Sequence, residues 1–255
     1  MIVDPISWED PGRNTALDTQ QRLNLLNNLQ QTTLSVVEAC KSFPRFVQTT
    51  YIRKFISRHE IYKLISNTHG NIVECGVLSG DGLFAWAHFV EIYEPFNHLR
   101  QVVGFDSFEG FPQDMLVNEK VAENLQMKPG GLKRKVYEEL NDSIETFDLN
   151  RPLKHIKRIR LIKGDACQTI PEFLNKNPEF LVSLLWLDFD VFQPTAVALK
   201  EFMSRMHAGS VIAFDELNHP LWPGETIAVL ENLDLRKFKV ERFPFGSTVS
   251  FIRFQ

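Results

Sequence analysis

Val182-Ser-Leu-Leu-Trp186-Leu-Asp188-Phe-Asp190 and, further on, Ser210-Val-Ile-Ala213-Phe-Asp215-Glu216 are both apolar runs that end in acidic residues. Short runs of this kind read as strands buried within a sheet. Two adjacent strands would then deliver three or four carboxylates to one edge of the sheet, the edge at which open α/β proteins keep their ligand sites. Gathering like charges there is costly unless a cation or a proton offsets them, so the arrangement predicts a divalent metal and an enzyme site.

From Asn71 onward, apolar runs alternate with helical stretches, the pattern of a mostly parallel, doubly wound α/β sheet. The strands fall at Ile72 to Glu74, Gln101 to Phe105, Ile159 to Lys163, Val182 to Leu187 and Ser210 to Phe214. Helices start near Gly80, Thr169, Thr195 and Pro223. Two β-like runs, Lys237 to Phe243 and Thr248 to Phe254, flank the turn signal Pro244-Phe-Gly-Ser247 and predict a C-terminal antiparallel hairpin. Residues 1–14 read as an irregular arm. Helical spacing runs from Ala16 to about Phe43 and again from Tyr51 to Ser66. The expected organisation is thus an N-terminal helical appendage over 1–68, serving as lid or oligomer contact, and one α/β domain over 69–255. Within that domain, 111–150 is long and polar and reads as an insertion forming substrate loops.

A length of 255 residues, 44% hydrophobic and 24% charged, is that of a globular chain able to bury a large core. The net charge of −4 and the shortness of the basic runs Lys133-Arg-Lys135 and Lys154-His-Ile-Lys-Arg158 argue against a nucleic-acid partner and favour solvated faces. Cys40, Cys75 and Cys167 are scattered and odd in number, as expected of free thiols in a reducing cytoplasm. No apolar run is long enough to span a membrane, and the start lacks the basic and apolar regions of a secretion signal. The expectation is a cytoplasmic protein without a membrane partner.

After the first strand comes Glu74-Cys-Gly76-Val-Leu-Ser79-Gly80-Asp-Gly82, leading straight into a helix. Glycines at such a turn let the backbone approach a ligand, with helix N-terminal amides aimed at it. Their spacing is not the G-x-G-x-x-G of dinucleotide binders. The second strand ends at Asp106-Ser107, where a carboxylate suits a ribose diol or a turn cap. The third ends at Asp165-Ala166, where the acid suits an adenine edge or a helix N-cap. Asp190 reads as a cap for the helix near Pro194. Arg53, Arg58 and His59 on the second N-terminal helix either reach a ligand or form a solvated face, and Phe192 and Trp222 either stack on a ligand or pack in the core.

Together, Val73-Glu-Cys-Gly-Val77 with Gly80, Asp106-Ser-Phe-Glu-Gly110, Leu187-Asp-Phe-Asp190 with Pro194-Thr195, and Asp215-Glu216 resemble the macrocin O-methyltransferase family. These are class I S-adenosylmethionine-dependent enzymes with a Rossmann-like sheet that methylate sugars of natural products. The resemblance implies that Glu74, Gly76, Ser79, Gly80, Asp106, Ser107, Asp165 and Ala166 surround S-adenosylmethionine. It also implies that Asp188, Asp215 and Glu216 hold Mg²⁺ or another divalent cation, that the acceptor is a sugar or polyol hydroxyl, and that the chain self-associates. The metal would orient and acidify the acceptor hydroxyl, with Asp188, or alternatively His219, as the base. Two other readings stand beside this one. A nucleotide-dependent oxidoreductase is disfavoured by the glycine spacing, and a non-catalytic adenosine-binding protein is disfavoured by the intact carboxylates.

Overall fold

A computed structural model describes residues 16–116, 127–245 and 248–255. The predicted arm, 1–14, lies outside the described residues, as do Gly246 and Ser247 of the predicted hairpin turn. Strands β1 (Asn71–Cys75), β2 (Val102–Asp106), β3 (Ile159–Lys163), β4 (Val182–Leu187) and β5 (Met206–Phe214) pair in parallel, and β6 (Glu241–Arg242) and β7 (Ser250–Arg253) add an antiparallel edge. Their order, β3-β2-β1-β4-β5-β7-β6, reverses direction of travel between β1 and β4, which places a crevice at the carboxyl ends of these two strands.

Pleating assigns alternate residues to opposite faces of the sheet. Ile72, Leu184, Trp186, Val211 and Ala213 pack against α3 (Thr49–Ile65), α4 (Asp81–Tyr93) and α5 (Tyr137–Leu149). Val73, Leu185, Leu187, Ile212 and Phe214 pack against α6 (Ala166–Lys176), α7 (Phe192–Met203) and α8 (Pro223–Asn232). The same parity sends Glu74, Asp188 and Asp215 to the α3 side.

The ladder continues one residue past each strand. Gly76 N–H donates to Phe105 O (2.9 Å), Asp188 N–H to Cys75 O (2.8 Å) and Asp215 N–H to Leu187 O (3.1 Å). Gly76 is fixed by this closeness, because it has φ +93° and a Cβ on it would stand 2.0 Å from the Asp188 carbonyl oxygen.

Five expectations are corrected. The stretch from Ala16 to Phe43 is two helices, α1 (Ala16–Gln30) and α2 (Val36–Lys41), because Ser35 and Glu38 form a capping box that restarts the helix. The third helix is no appendage: Ile61, Tyr62 and Ile65 of α3 are fully buried in the main core. The segment 111–150 is only partly an insertion, since α5 is the ordinary crossover helix between β2 and β3 and buries Leu140 and Ile144. The predicted strand from Lys237 also shrinks, to Glu241–Arg242 after a 3₁₀ turn at Leu235–Lys237. Arg158, read within a solvated basic run, is 3% exposed and pairs with Glu91 at 2.8 Å. Among the described residues no helix is long and apolar enough to cross a membrane.

If α3 is part of the core, Ile61→Ala should destabilise the whole domain by about 2–5 kcal/mol, the usual cost of such a cavity. Urea unfolding would measure it; a loss below about 1 kcal/mol would fit a detachable appendage instead.

Candidate active site

A cavity of about 390 Å³ opens at the β1/β4 crevice. One wall is built from strand ends: Glu74, Gly76, Val77 and Leu78 after β1, Asp106 and Ser107 after β2, Gly164 to Ala166 after β3, Asp188 to Asp190 after β4, and Asp215 and Glu216 after β5. Lys54 and Arg58 of α3 close it from above. Phe111, Met115, Leu132, Val191 and Trp222 form its apolar mouth, where the Phe111 and Trp222 rings lie 6.0 Å apart.

On β1, Glu74 is 1% exposed; burial pushes its carboxyl well above the usual range, partly offset by Arg58. Its Oε2 is buried without a hydrogen-bond partner. Arg58 donates to Asp81 (2.6 Å) at the first turn of α4. An unmatched buried acid beside a guanidinium, both at a helix N-terminus, suits the ammonium and carboxylate of an amino acid.

Asp106 takes the turn-cap reading: Oδ2 accepts from the amides of Val77 and Leu78 (2.8 Å each), and Oδ1 from Phe108 N–H (2.7 Å). This clasp holds Leu78 at φ +51°. Carboxylate oxygens accept more than one bond, so the clasp leaves capacity for a ribose. Asp165 N-caps α6 by accepting from Cys167 N–H (2.9 Å), and it also lines the cavity with Ala166. Ser79 and Gly80 are not on the cavity wall; Ser79 is exposed, and Gly80, at φ +87°, starts α4.

At the ends of β4 and β5, the strand parity brings Asp188 and Asp215 together. Lys54 Nζ donates to Asp188 Oδ2 (3.2 Å) and to Asp215 Oδ2 (2.9 Å). Burial alone would lower the pKa of this ammonium, but the two carboxylates outweigh it and raise it. For Asp188, burial and then the Asp215 charge push the carboxyl up to about 7, against the pull of Lys54 and Arg58. Asp190 and Glu225 are raised well above the carboxylate range, first by burial and then by neighbouring acids.

Asp190 does not cap α7. That helix is capped by Val191 without a side-chain bond, while Asp190 sits at φ +65° in a three-residue turn closed by Val191 N–H to Phe189 O (2.7 Å). Such backbone strain at a half-buried acid is a mark of functional sites.

The three-carboxylate metal set is not assembled. Among the described residues, no group of three or more His, Cys, Asp or Glu is placed to hold a metal. Glu216 has the opposite parity to Asp215, and its Oε2 lies 3.9 Å from His219 Nδ1. The position between Asp188 and Asp215 is held by Lys54, so the residues as placed do not fit a divalent ion.

His219 is 5% exposed, off the cavity wall, and its Nδ1 accepts from Leu221 N–H (3.1 Å). Phe192, the first residue of α7, packs partly buried against the core on the α6–α8 side, whereas Trp222 lines the mouth. Of the α3 candidates, Arg58 reaches the cavity, Arg53 is exposed, and His59 meets Tyr93 Oη (2.6 Å). Lys54 was not among the candidates, yet it was legible: Lys54, Arg58, Ile61 and Ile65 form one helical stripe, apolar over the sheet and cationic over the strand ends.

Known proteins share this fold. No curated protein sequence matches significantly. Among solved structures, the calicheamicin methyltransferase CalS11 superposes with a TM-score of 0.87 at 27% identity, covering 94% of each chain. Its apo form, described as a TDP-rhamnose 3'-O-methyltransferase of calicheamicin biosynthesis, gives 0.81 at 28%, over 94% of this chain and 96% of that one. The O-methyltransferase NovP shares the fold, with 0.64 at 18% over 80% of each chain. The family model for macrocin O-methyltransferase (TylF) matches residues 50–237, from α3 to the end of the α8 region, and the chain belongs to that family.

Proposed function

We propose that this methyltransferase moves the methyl group of S-adenosylmethionine to a hydroxyl of a sugar, carried on a nucleotide or on a natural product. The observation that carries the reading is the contact between β1 and β4, which sets the half-buried Asp188 against the Gly76 turn in one cavity. Family membership and the likeness to the CalS11 structures support it.

S-adenosylmethionine supplies, when bound, an electrophilic methyl carbon on a sulfonium that leaves as a neutral thioether. Glu74 and Arg58 would hold its amino-acid end, Asp106 and Ser107 its ribose, and Asp165 and Ala166 its base. Trp222 and Phe111 would cover the apolar face of a sugar ring. Asp188 takes the proton from the acceptor hydroxyl as the oxygen–carbon bond forms and the carbon–sulfur bond breaks. His219 is less suited, since its Nδ1 is engaged by a backbone amide away from the cavity. Packing by α3 and the aromatic mouth excludes water, which strengthens the charge interactions inside.

The same reading includes self-association through the N-terminal helices, where Val36, Val37 and Phe43 stand exposed. Light scattering should then give a mass above that of one 29.5 kDa chain.

Calorimetry should detect S-adenosylmethionine and not NAD; the reverse would reject the reading. With nucleotide-linked deoxysugars and glycosylated products as acceptors, mass spectrometry should find the gain of one methyl group. Asp188→Asn should lower kcat by about 10²–10⁴-fold, the range for a lost general base, while cofactor affinity stays within a few-fold. The base works ionised and its pKa is raised to about 7, so kcat should climb as pH rises through that value and level off above it. A flat profile between pH 5 and 8 at about constant kcat would contradict Asp188 as base. Asp106→Ala should instead weaken cofactor binding by at least about tenfold, by releasing a loop held through charge-assisted bonds.

A further inference from the structure

The acidic cluster gathers more carboxyl groups than one lysine and one arginine can pair. Asp188, Asp190, Asp215, Glu216 and Glu225 converge on the ends of β4 and β5. Such a cluster is offset by protons on some of its members and by a cation close to the others. The chain provides one at the point where two of these acids meet, with Lys54 Nζ 3.2 Å from Asp188 and 2.9 Å from Asp215. We propose that Lys54 is the resident cation of this site, taking the position and the electrostatic role of a divalent ion, so that the protein excludes the metal and turns over without it.

Three independent features support this. First, the lysine rides on a rigid stem: one turn beyond it Arg58 is clamped to Asp81 (2.6 Å), and Ile61 and Ile65 further along are fully buried. Second, Glu216 leaves β5 on the opposite pleat from Asp215 with its Oε2 3.9 Å from His219 Nδ1, so at the Asp188–Asp215 pair an incoming ion would find two carboxylates and an ammonium instead of three carboxylates. Like-charge repulsion at such distances in a partly buried site far exceeds that in water. Third, an ammonium carries three N–H donors and the two aspartates engage two, which leaves one for the acceptor oxygen as its proton departs to Asp188. Lys54 would thereby stabilise the negative charge that grows on that oxygen. Asp215 completes the arrangement as a positioning residue, holding the ammonium from the buried side with 5% of its own surface exposed.

The proposal rests on the methyl-transfer reading for its kinetic consequence but not for its binding consequence, and the test separates the two. Mn²⁺ is the probe, titrated into the full-length protein and followed by the paramagnetic resonance of the free ion. The native protein should leave Mn²⁺ free. Lys54→Met should bind it at least about tenfold more tightly, since removal of the ammonium leaves the paired aspartates for a hard cation. Lys54→Arg should again exclude it. In methyl-transfer assays, native turnover should survive EDTA, whereas Lys54→Met should lose about 10²–10³-fold, the scale of one lost electrostatic donor, and recover in part on adding Mn²⁺. Circular dichroism would confirm that Lys54→Met is folded; if it is not, Lys54→Gln takes its place in both assays. Stoichiometric Mn²⁺ binding by the native protein, loss of native turnover in EDTA, or no gain of binding on removing the ammonium would each overturn the proposal. Absence of methyl transfer to every acceptor would overturn the functional reading and leave the Mn²⁺ titration to decide the role of Lys54.

Discussion

The hydrogen bond from Asp188 N–H to Cys75 O, 2.8 Å long, locks the end of β4 beside the end of β1 at the point where the sheet reverses its order of connection. Everything in the site follows from that pairing. It forces glycine at 76, because a side chain there would collide with the Asp188 carbonyl. It also fixes the pleat, so Asp188 and Asp215 face α3 while Phe189 turns into the opposite core. A one-residue slip of β4 would turn Asp188 to the opposite face of the sheet, away from Asp215 and Lys54.

Much of the architecture was legible in the residues. Val182–Leu187 is buried throughout and apolar except for Ser183 because both its faces are covered, and its bounds in the sequence coincide with those of the strand. The helix starts at Pro223 and after Gly80 were equally plain, the first from proline at the first helical position and the second from the glycine turn. The elements misread share a physical cause. The break between α1 and α2 depends on a two-residue reciprocal cap, a local signal that outweighs apolar spacing running through it. The helix α5 hid in a polar stretch because only Leu140, Ile144 and a few neighbours touch the sheet at its edge. The core role of α3 needed tertiary contacts, since its apolar residues alone could equally serve a lid.

The site divides in the same way. Which acids lie at strand ends could be read from the chain, as could the cofactor-side glycine turn. Their partners could not: Asp106 is spent on three backbone amides, Asp190 on a strained turn and His219 on a loop amide. Counting carboxylates predicted a metal, whereas strand parity separates Glu216 from Asp215 and a lysine from a distant helix meets the pair. The divalent metal expected from the carboxylates is not matched by the described residues, and the lysine that stands at the pair became visible only in the fold.

The crevice between Gly76 and Asp188 is the proposed seat of the methyl donor. A crystal structure with S-adenosylhomocysteine would test this. The account predicts its amino-acid end between Glu74 and Arg58, its ribose over Asp106 and its sulfur facing Asp188. Density for the nucleoside elsewhere, with this crevice filled only by solvent, would contradict it.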